Sequence, residues 1–324
     1  MKRGRRTMGV VKAFKALALA AVLAAPAAAQ AQDNKVIGVS IPAATHGWAG
    51  GMNYHAQEAV KRLEKTYPQL KFVLATAGDP GKQVSDIEDM MATRNIDALV
   101  VLPFESTPLT GPVKRVAEAG KWVTVVDRGL AEEGIEDLYV AGDNPGFGRV
   151  AGEFFRERMP SGGKIVVLRG IPTTIDNERV EAFQKAIEGS GIEIIGMEHG
   201  NWNRDSAFTV MQDFLSKHPK IDAVWASDDD MAVGVLEAVN QAGRQDEMWV
   251  LGGAGMKEMI KRVMDGDKRV PANVTYPPAM IATAIEITAL RFVSNAPVSG
   301  RFVIGSELIT QENAKNFHFP DSPF

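Results

Sequence analysis

The stretch Val36–Val60, VIGVSIPAATHGWAGGMNYHAQEAV, decides the fold that the rest of the chain repeats. It begins with a short apolar run, passes through a loop that holds His46 and Trp48 among small residues, and ends in a helical pattern that continues to about Tyr67. A strand, a loop and a helix in this order form the first half of a parallel βαβ unit. Ligands of open parallel sheets bind just beyond the carboxyl ends of the strands, where His46 and Trp48 are expected to lie.

The same alternation of apolar runs and helical patterns continues along the chain. Runs such as Ala98–Leu102 and Trp122–Val126 are continuously apolar, as expected for strands of a parallel sheet that is covered by helices on both faces. The rhythm restarts with the predicted strand Lys164–Leu168 and the predicted helix Asp176–Gly189. A chain of 324 residues with two β/α sets of similar size predicts an α/β fold of two similar lobes.

Residues 1–31 have the pattern of a secretory signal peptide. The basic segment MKRGRRTMGVVKAFK precedes the apolar segment ALALAAVLAAPAAA, and Ala29-Gln30-Ala31 fits a small-x-small cleavage site. The apolar segment is too short and too rich in alanine for a membrane span, although an uncleaved anchor is the alternative. Removal of residues 1–31 takes away six Lys/Arg and no Asp/Glu. The remaining chain then has 30 basic and 40 acidic residues, and its net charge moves from −4 to −10. An acidic mature chain disfavours nucleic acid or an anionic membrane as a partner.

Cysteine is absent from the sequence. The chain therefore has no disulfide, no thiol nucleophile and no cysteine for lipid attachment after the signal peptide. Export without a lipid anchor predicts a location in the periplasm.

Two polar motifs follow predicted strands of the first half. Asp127-Arg128 comes directly after WVTVV. A carboxylate accepts hydrogen bonds from hydroxyls and a guanidinium donates to them in a fixed fork, so the pair is suited to two neighbouring sugar hydroxyls; a surface ion pair is the alternative. Asn144 follows the predicted strand Tyr139–Ala141, where it would serve the site, help to cap a helix, or both.

Four further candidates lie in the second half. Arg179 would reach the crevice, although its spacing alone favours a solvated helix face. Trp202, between two asparagines in a Gly-flanked loop, suits the C–H face of a sugar. Asp228 opens three consecutive acids, which indicate strand-end hydrogen bonding and helix capping, because the spacing of a Ca²⁺-binding EF-hand loop is missing. Tyr276 stands where the chain would cross between lobes, so hinge packing is its alternative role.

Catalytic and cofactor templates fit the sequence poorly. The five histidines show neither HExxH nor paired metal spacing, and there is no G-x-S-x-G elbow and no P-loop. The turn Gly252-Gly253-Ala254-Gly255 does not match GxGxxG. We therefore predict no catalytic residue, no metal site and no cofactor.

Several segments together resemble one family: IGVSIP, VTVVDRG, AGDNPGFGRVAGEF, NERVEAFQKAI, AVWASDDDMAVGVLEAVNQAG and VLGGAG. Over essentially the whole mature chain they resemble the periplasmic sugar-binding proteins of ABC importers, the ribose-binding-protein-like or type I group. LacI-type regulators share these segments but carry an N-terminal helix-turn-helix where this chain has the predicted signal peptide. The resemblance implies two Rossmann-like lobes with parallel sheets, joined by a three-crossing hinge and closing on one sugar. The N-terminal lobe is expected at residues 32–141 plus 277–305, and the C-terminal lobe at residues 142–276 plus 306–324.

The resemblance also implies which residues line the cleft. Asp127 and Arg128 match the family's sugar-holding Asp-Arg pair, and Asn144 matches its asparagine. Arg179 matches the second arginine of an R-x-R motif that is reduced here to N-E-R. Trp202 falls where an aromatic ring stacks on the sugar.

The chain also departs from the family pattern. His46-Gly47-Trp48-Ala49 stands where Asn-Pro-Phe-Phe is common, Asp228 where Asn is usual, and Tyr276 where Gln is usual. Ala254 occupies the place of a ligand-binding carboxylate. These departures favour a non-ribose pentose, a tetrose, a branched sugar or a linear polyol over ribose itself.

We predict a periplasmic solute-binding protein that captures a small uncharged sugar or polyol and delivers it, as a monomer, to an inner-membrane ABC permease. Three alternative functions are compatible with the same sequence features. They are a ligand-presenting sensor for chemotaxis or signalling, an autoinducer-binding protein of the same fold, and a secreted enzyme. The enzyme is disfavoured because the sequence offers no nucleophile and no acid/base pair.

Overall fold

The computed structural model describes residues 34–44 and 46–324. The predicted signal peptide at residues 1–31 lies outside this part of the chain. The strands are β1 Lys35–Pro42, β2 Leu70–Ala77, β3 Ala98–Val101, β4 Trp122–Val126, β5 Leu138–Gly142, β6 Gly163–Arg169, β7 Ile192–His199, β8 Ala223–Ala226, β9 Trp249–Leu251, β10 Asn273–Val274, β11 Gly300–Ile304 and β12 Leu308–Ile309. The helices are α1 Gly47–Thr66, α2 Pro80–Ala92, α3 Ser106–Glu118, α4 Asn144–Arg158, α5 Thr174–Ile187, α6 Arg204–Lys217, α7 Asp229–Gln241, α8 Lys257–Met264 and α9 Met280–Val293.

These strands form two parallel sheets and one short antiparallel pair. The larger sheet has the order β11-β5-β4-β3-β1-β2, and the smaller has the order β7-β6-β8-β9, while β10 pairs with β12. We call the larger sheet with α1, α2, α3 and α9 the N-terminal lobe, and the smaller sheet with α4 to α8 and the β10–β12 pair the C-terminal lobe. The predicted α/β class with two Rossmann-like lobes is confirmed, whereas the residue boundaries given above for the lobes stay predictions.

Each sheet reverses its strand order once. In the N-terminal lobe β1 lies between β2 and β3, and in the C-terminal lobe β6 lies between β7 and β8. A crevice opens at the carboxyl ends of such neighbouring strands, because their following loops run to opposite faces of the sheet. Ligand-binding side chains are therefore expected in the loops after β1 and β3 and after β6 and β8.

The chain passes between the lobes three times, at Asp143, between β10 and α9, and between β11 and β12. Backbone hydrogen bonds join these crossings. The Asp143 N–H donates to Ile304 O (2.9 Å), and the Thr275 N–H donates to Glu307 O (3.0 Å). The hinge is thus a connection of three chain segments that are joined by backbone hydrogen bonds.

Among the described residues, no helix has the length and hydropathy needed to span a bilayer.

Helix starts account for most differences from the predicted elements. The sequence pattern predicts a helix over Thr110–Ala119, but α3 begins at Ser106. Pro108 lies in its first turn, where the missing N–H leaves no hydrogen bond unmade. The sequence pattern predicts a helix over Ala232–Gln241, but α7 begins at Asp229. The Asp228 carboxylate accepts from the Met231 N–H (2.8 Å) and caps the helix there. The predicted strand Val274–Tyr276 ends at Val274.

Close packing of α4 on α5 depends on two glycines. A Cβ at Gly148 would lie 1.9 Å from the Arg179 carbonyl oxygen, and a Cβ at Gly152 would lie 2.5 Å from the Ala186 Cβ. Only a residue without a side chain fits at Gly148, because its neighbour is backbone that has no rotamer to change. This approach brings Asn144, the first residue of α4, next to Arg179 on α5.

We expect Gly148→Ala to lower the free energy of unfolding by about 1–3 kcal/mol or more, because the methyl group forces the two helices apart. Urea unfolding followed by circular dichroism measures this. Gly50→Ala in α1 is the matched control, since a Cβ at Gly50 meets nothing within 4 Å and alanine favours a helix by up to ~1 kcal/mol. Equal stability of the two variants would contradict this packing.

Candidate ligand-binding cleft

A cavity of about 360 Å³ lies where the carboxyl ends of the two sheets face each other. Side chains from both lobes and from the hinge enclose it. Eight of the nine residues predicted from the sequence line it: His46, Trp48, Asp127, Arg128, Arg179, Trp202, Asp228 and Tyr276. Ile175 and Ala254 complete the lining, whereas Asn144 lies outside it. That these residues bind a ligand remains a prediction.

Asp127 is buried at the carboxyl end of β4 in a left-handed backbone conformation, with φ +60°. The Tyr276 hydroxyl donates to its Oδ1, and the Tyr139 hydroxyl donates to its backbone carbonyl. Burial raises the pKa of Tyr276 well above its ordinary value, and the Asp127 charge adds to this effect. Tyr276 therefore stays protonated and holds one carboxylate oxygen, which leaves Oδ2 as an acceptor beside the cavity. The alternative interpretation of Asp127-Arg128 as a surface ion pair is wrong for Asp127, which is 2% exposed.

Arg128 is fixed by one hydrogen bond and keeps an unused donor. Its Nη1 donates to the Phe104 carbonyl oxygen at the end of β3 (2.7 Å). Its Nε is buried and has no hydrogen-bond partner within the described part of the chain. A buried donor without a partner costs free energy, so an acceptor in the cavity would stabilise this arrangement.

Arg179 is 4% exposed, so the favoured interpretation of a solvated helix face is wrong. Its Nε donates to Asn144 Oδ1 (2.8 Å) and its Nη1 donates to the Ser227 carbonyl oxygen (2.9 Å). The guanidinium carbon lies 4.4 Å from the ring centre of Phe147 and 4.3 Å from that of Tyr276. Asn144 therefore orients Arg179 from a position outside the cavity lining. A direct contact between Asn144 and a ligand stays a prediction.

His46 and Trp48 come from the loop and first turn that follow β1. The His46 Nδ1 accepts from the Ala49 N–H (3.5 Å) and caps α1. Burial lowers the pKa of His46, which favours the neutral ring with Nε2 as the donor. The Trp48 Nε1 donates to the Tyr276 carbonyl oxygen (2.9 Å), so the indole fastens α1 to the hinge.

Trp202 forms the opposite wall from a strained loop. Asn201 and Trp202 both have left-handed backbone, with φ +57° and +51°, and strain in a bulky residue is typical of functional sites. A Cβ at Gly170 would lie 2.1 Å from the Trp202 ring, so the neighbouring loop makes room for it. The Trp202 Nε1 is buried without a partner among the residues that the structure describes.

Ala254 lines the cavity with φ +94°, a conformation that L-residues rarely adopt. The buried Asp229 holds its loop, because Oδ2 accepts from the N–H groups of Gly255 (3.1 Å) and Met256 (2.7 Å). Asn273 Nδ2 donates to the other oxygen (2.7 Å). Asp229 is therefore a structural carboxylate, and it does not line the cavity.

The two lobes are in direct contact at the start of α1. The Gly47 N–H donates to Asp230 Oδ2 (2.9 Å), and a Cβ at Gly47 would lie 2.8 Å from that oxygen and 3.2 Å from the Phe324 ring. Arg204 lies 3.6 Å from the other oxygen of Asp230. Asp230 belongs to the acidic run that the sequence assigned to helix capping, and no local signal indicates its contact with the other lobe.

Tyr276 also fills space at the hinge. Its ring occupies the side of Gly142, where a Cβ would lie 2.1 Å from a ring carbon. It meets the Phe147 ring edge to face, with ring centres 6.1 Å apart. The predicted hinge packing and the predicted cleft position of Tyr276 therefore occur together.

Comparison with known proteins agrees with this architecture. Residues 37–291 match the family described as periplasmic binding protein domain, and the chain belongs to that family. It is similar to the ribose import binding protein of Bacillus subtilis, with 31% identity over 226 residues that cover 69% of this chain and 70% of that protein. It is 26% identical over 303 residues to the ribose import binding protein of Escherichia coli, which covers 93% of this chain and 99% of that protein.

A solved structure extends the likeness to the whole fold. The myo-inositol binding protein of Caulobacter, bound to myo-inositol, superposes with a TM-score of 0.78 at 26% identity and covers 88% of this chain and 96% of that chain. The predicted family is confirmed, and the relatives named are binding proteins and not enzymes.

We expect Gly47→Ala to disfavour the closed arrangement about 10- to 150-fold relative to an open one, because it displaces the Gly47–Asp230 hydrogen bond to a charged group. Small-angle scattering should then give a larger radius of gyration. Gly50→Ala on the same helix should leave the radius unchanged. An unchanged radius in both variants would show that this contact does not hold the lobes together.

Asp228→Asn tests the electrostatics of the cleft. Burial is the largest effect that raises the pKa of Asp228, to about 7, and Asp230 adds to it. Because this folded-state pKa exceeds the ordinary value near 3.8, the protonated carboxyl stabilises the fold at low pH. That stabilisation is lost as pH rises from about 4 through about 7. Asparagine does not ionise, so the melting temperature of Asp228→Asn relative to wild type should rise between pH 5 and pH 8.

Asp213→Asn on the exposed face of α6 is the matched control, because it makes the same chemical change outside the cavity. A constant difference between Asp228→Asn and wild type from pH 5 to pH 8 would refute the raised pKa.

Proposed function

We propose that this protein is the solute-binding component of an ABC importer and captures a small uncharged sugar or polyol between its lobes. The ligand class is a pentose, a tetrose, a branched sugar or a linear polyol. The protein acts in the periplasm as a monomer, after removal of the predicted signal peptide, and delivers its ligand to an inner-membrane permease.

The observation that carries this proposal is a pair of unused buried donors at one enclosed cavity. Arg128 Nε and Trp202 Nε1 belong to opposite lobes, both lie at the cavity, and neither has a partner within the described residues. The oxygen atoms of a polyhydroxyl ligand supply acceptors for both when the lobes are together. A hydroxyl also donates, which suits Asp127 Oδ2, because the Tyr276 hydroxyl donates to Oδ1.

The charges of the cavity favour a neutral ligand. Asp127 and Arg128 are adjacent and opposite in sign, and Arg179 already has two acceptors and two aromatic faces. A charged ligand would bring an unpaired charge into a buried site, which is strongly unfavourable. Hydroxyl groups meet no such penalty.

The aromatic walls favour a ring or chain with exposed C–H groups. Trp48 and Trp202 come from different lobes, and Tyr276 comes from the hinge between them. Aromatic faces pack on C–H bonds while polar groups at the rim bind hydroxyls.

A thermal-shift panel of pentoses, hexoses, tetroses, polyols and branched sugars tests the proposal. A ligand that binds only the folded protein at about 100 times its Kd adds about 2.7 kcal/mol of stability, which is a rise in melting temperature of roughly 5 °C. A panel in which no sugar or polyol raises the melting temperature would refute it. Recovery of the bound ligand unchanged separates this function from that of an enzyme.

Trp202→Phe tests the cleft with the ligand that the panel identifies. It removes the Nε1–H donor and keeps an aromatic ring, so we expect affinity measured by calorimetry to fall about 2- to 13-fold, the value of one net hydrogen bond. Trp225→Phe is a matched control, because Trp225 Nε1 is also buried without a partner in the described chain but does not line the cavity. Equal affinity of the two variants would remove Trp202 from the site.

A further inference from the structure

A second cavity adjoins the first on the side of the N-terminal lobe. His46, Trp48 and Arg128 line both. The remaining lining of the second cavity includes Ile41, Pro42, Met52, Leu102, Phe104 and Ile171, all of which are apolar. We call this second cavity the apolar annex.

We propose that the apolar annex binds an alkyl or deoxy substituent, so that the ligand is a sugar or polyol with an apolar end. This inference rests on the proposed function, since it assigns the ligand's second part. The polar part of the ligand lies at Asp127, Arg128 and Trp202, and its apolar end passes the Arg128 side chain into the annex.

The backbone acceptors around the annex are already occupied. The Pro42 carbonyl oxygen accepts from Asn53 Nδ2 (3.0 Å), and the Leu102 carbonyl oxygen accepts from Gln83 Nε2 (2.8 Å). The Phe104 carbonyl oxygen accepts from Arg128 Nη1 (2.7 Å). A hydroxyl that entered the annex would therefore find few acceptors, whereas a methyl group needs none.

Two of the three shared side chains, Trp48 and His46, already use one ring nitrogen in a hydrogen bond to the protein. Trp48 Nε1 donates to the Tyr276 carbonyl oxygen, and His46 Nδ1 accepts from the Ala49 N–H. Most of the lining of the annex is apolar, so water there has few polar partners. An alkyl group that displaces such water gains affinity.

Ile171 gives the annex its wall from the C-terminal lobe. It lies in the loop after β6 and is 39% exposed, although the other large side chains of the annex lie on the N-terminal lobe. Ile41 and Leu102 are buried at the ends of β1 and β3, on either side of the strand-order reversal. An apolar ligand end would cover Ile171 as it fills the space between the two lobes.

Calorimetry on the full protein with matched ligands tests this inference. The probes are D-galactose against 6-deoxy-D-galactose, D-mannose against 6-deoxy-D-mannose, and D-ribose against its methyl, ethyl and propyl ribosides. We expect at least one substituted member to bind more tightly than its parent, by about fourfold for each CH₂ that becomes buried. If unsubstituted sugars bind and no substituted one binds more tightly, the annex inference fails while the proposed function stands. If none of the probes binds and the thermal-shift panel is also negative, the proposed function fails.

Ile171→Ser and Leu290→Ser separate the annex from general effects. Both side chains are about equally exposed, at 39% and 42%, and Leu290 lies on α9 outside both cavities. Ile171→Ser should weaken the substituted probe about fivefold or more and change the parent sugar less than twofold, while Leu290→Ser should change neither. An equal loss for both ligands in Ile171→Ser would overturn the assignment of the annex to the apolar end.

Discussion

The cleft depends on the hydrogen bonds and ring contacts that surround the buried guanidinium of Arg179. A charge taken out of water is tolerated only where hydrogen bonds and nearby groups compensate it, so every neighbour of Arg179 is constrained. Asn144 and the Ser227 carbonyl oxygen accept from its N–H groups, and the ring centres of Phe147 and Tyr276 lie 4.4 and 4.3 Å from its guanidinium carbon. These partners come from α4, from the loop after β8 and from the hinge. One cation therefore fixes two segments of the C-terminal lobe relative to the hinge.

Much of this architecture was predictable because continuous apolar runs and polar strand ends are local signals. Two lobes and the positions of Asp127, Arg128, Trp202 and Asp228 at the cavity follow from strand ends alone. The burial of Arg179 does not follow, since helical spacing is the same for a solvated and a buried face. The contacts of Asp230 and Ile175 were not predictable from the sequence either. They depend on how one lobe meets the other, which is set by residues more than 100 positions apart.

Two titratable groups of the cleft, His46 and Asp228, share one tendency. Burial lowers the pKa of His46 and raises the pKa of Asp228, so enclosure favours the neutral form of both. The neutral forms of these two side chains take part in recognition through hydrogen bonds. A site of this kind discriminates by the number and direction of hydroxyl groups, because each unpaired buried polar group lowers affinity.

The contact between Gly142 and the Tyr276 ring links ligand choice to the history of the hinge. Any side chain at position 142 would collide with the ring, so Tyr276 is compatible only with glycine there. Two substitutions that are each harmful alone would be acceptable together, with a smaller residue at 276 and a larger one at 142. Specificity in this lineage would then change along restricted mutational routes, because the residue that shapes the cavity is also part of the pivot about which the lobes turn.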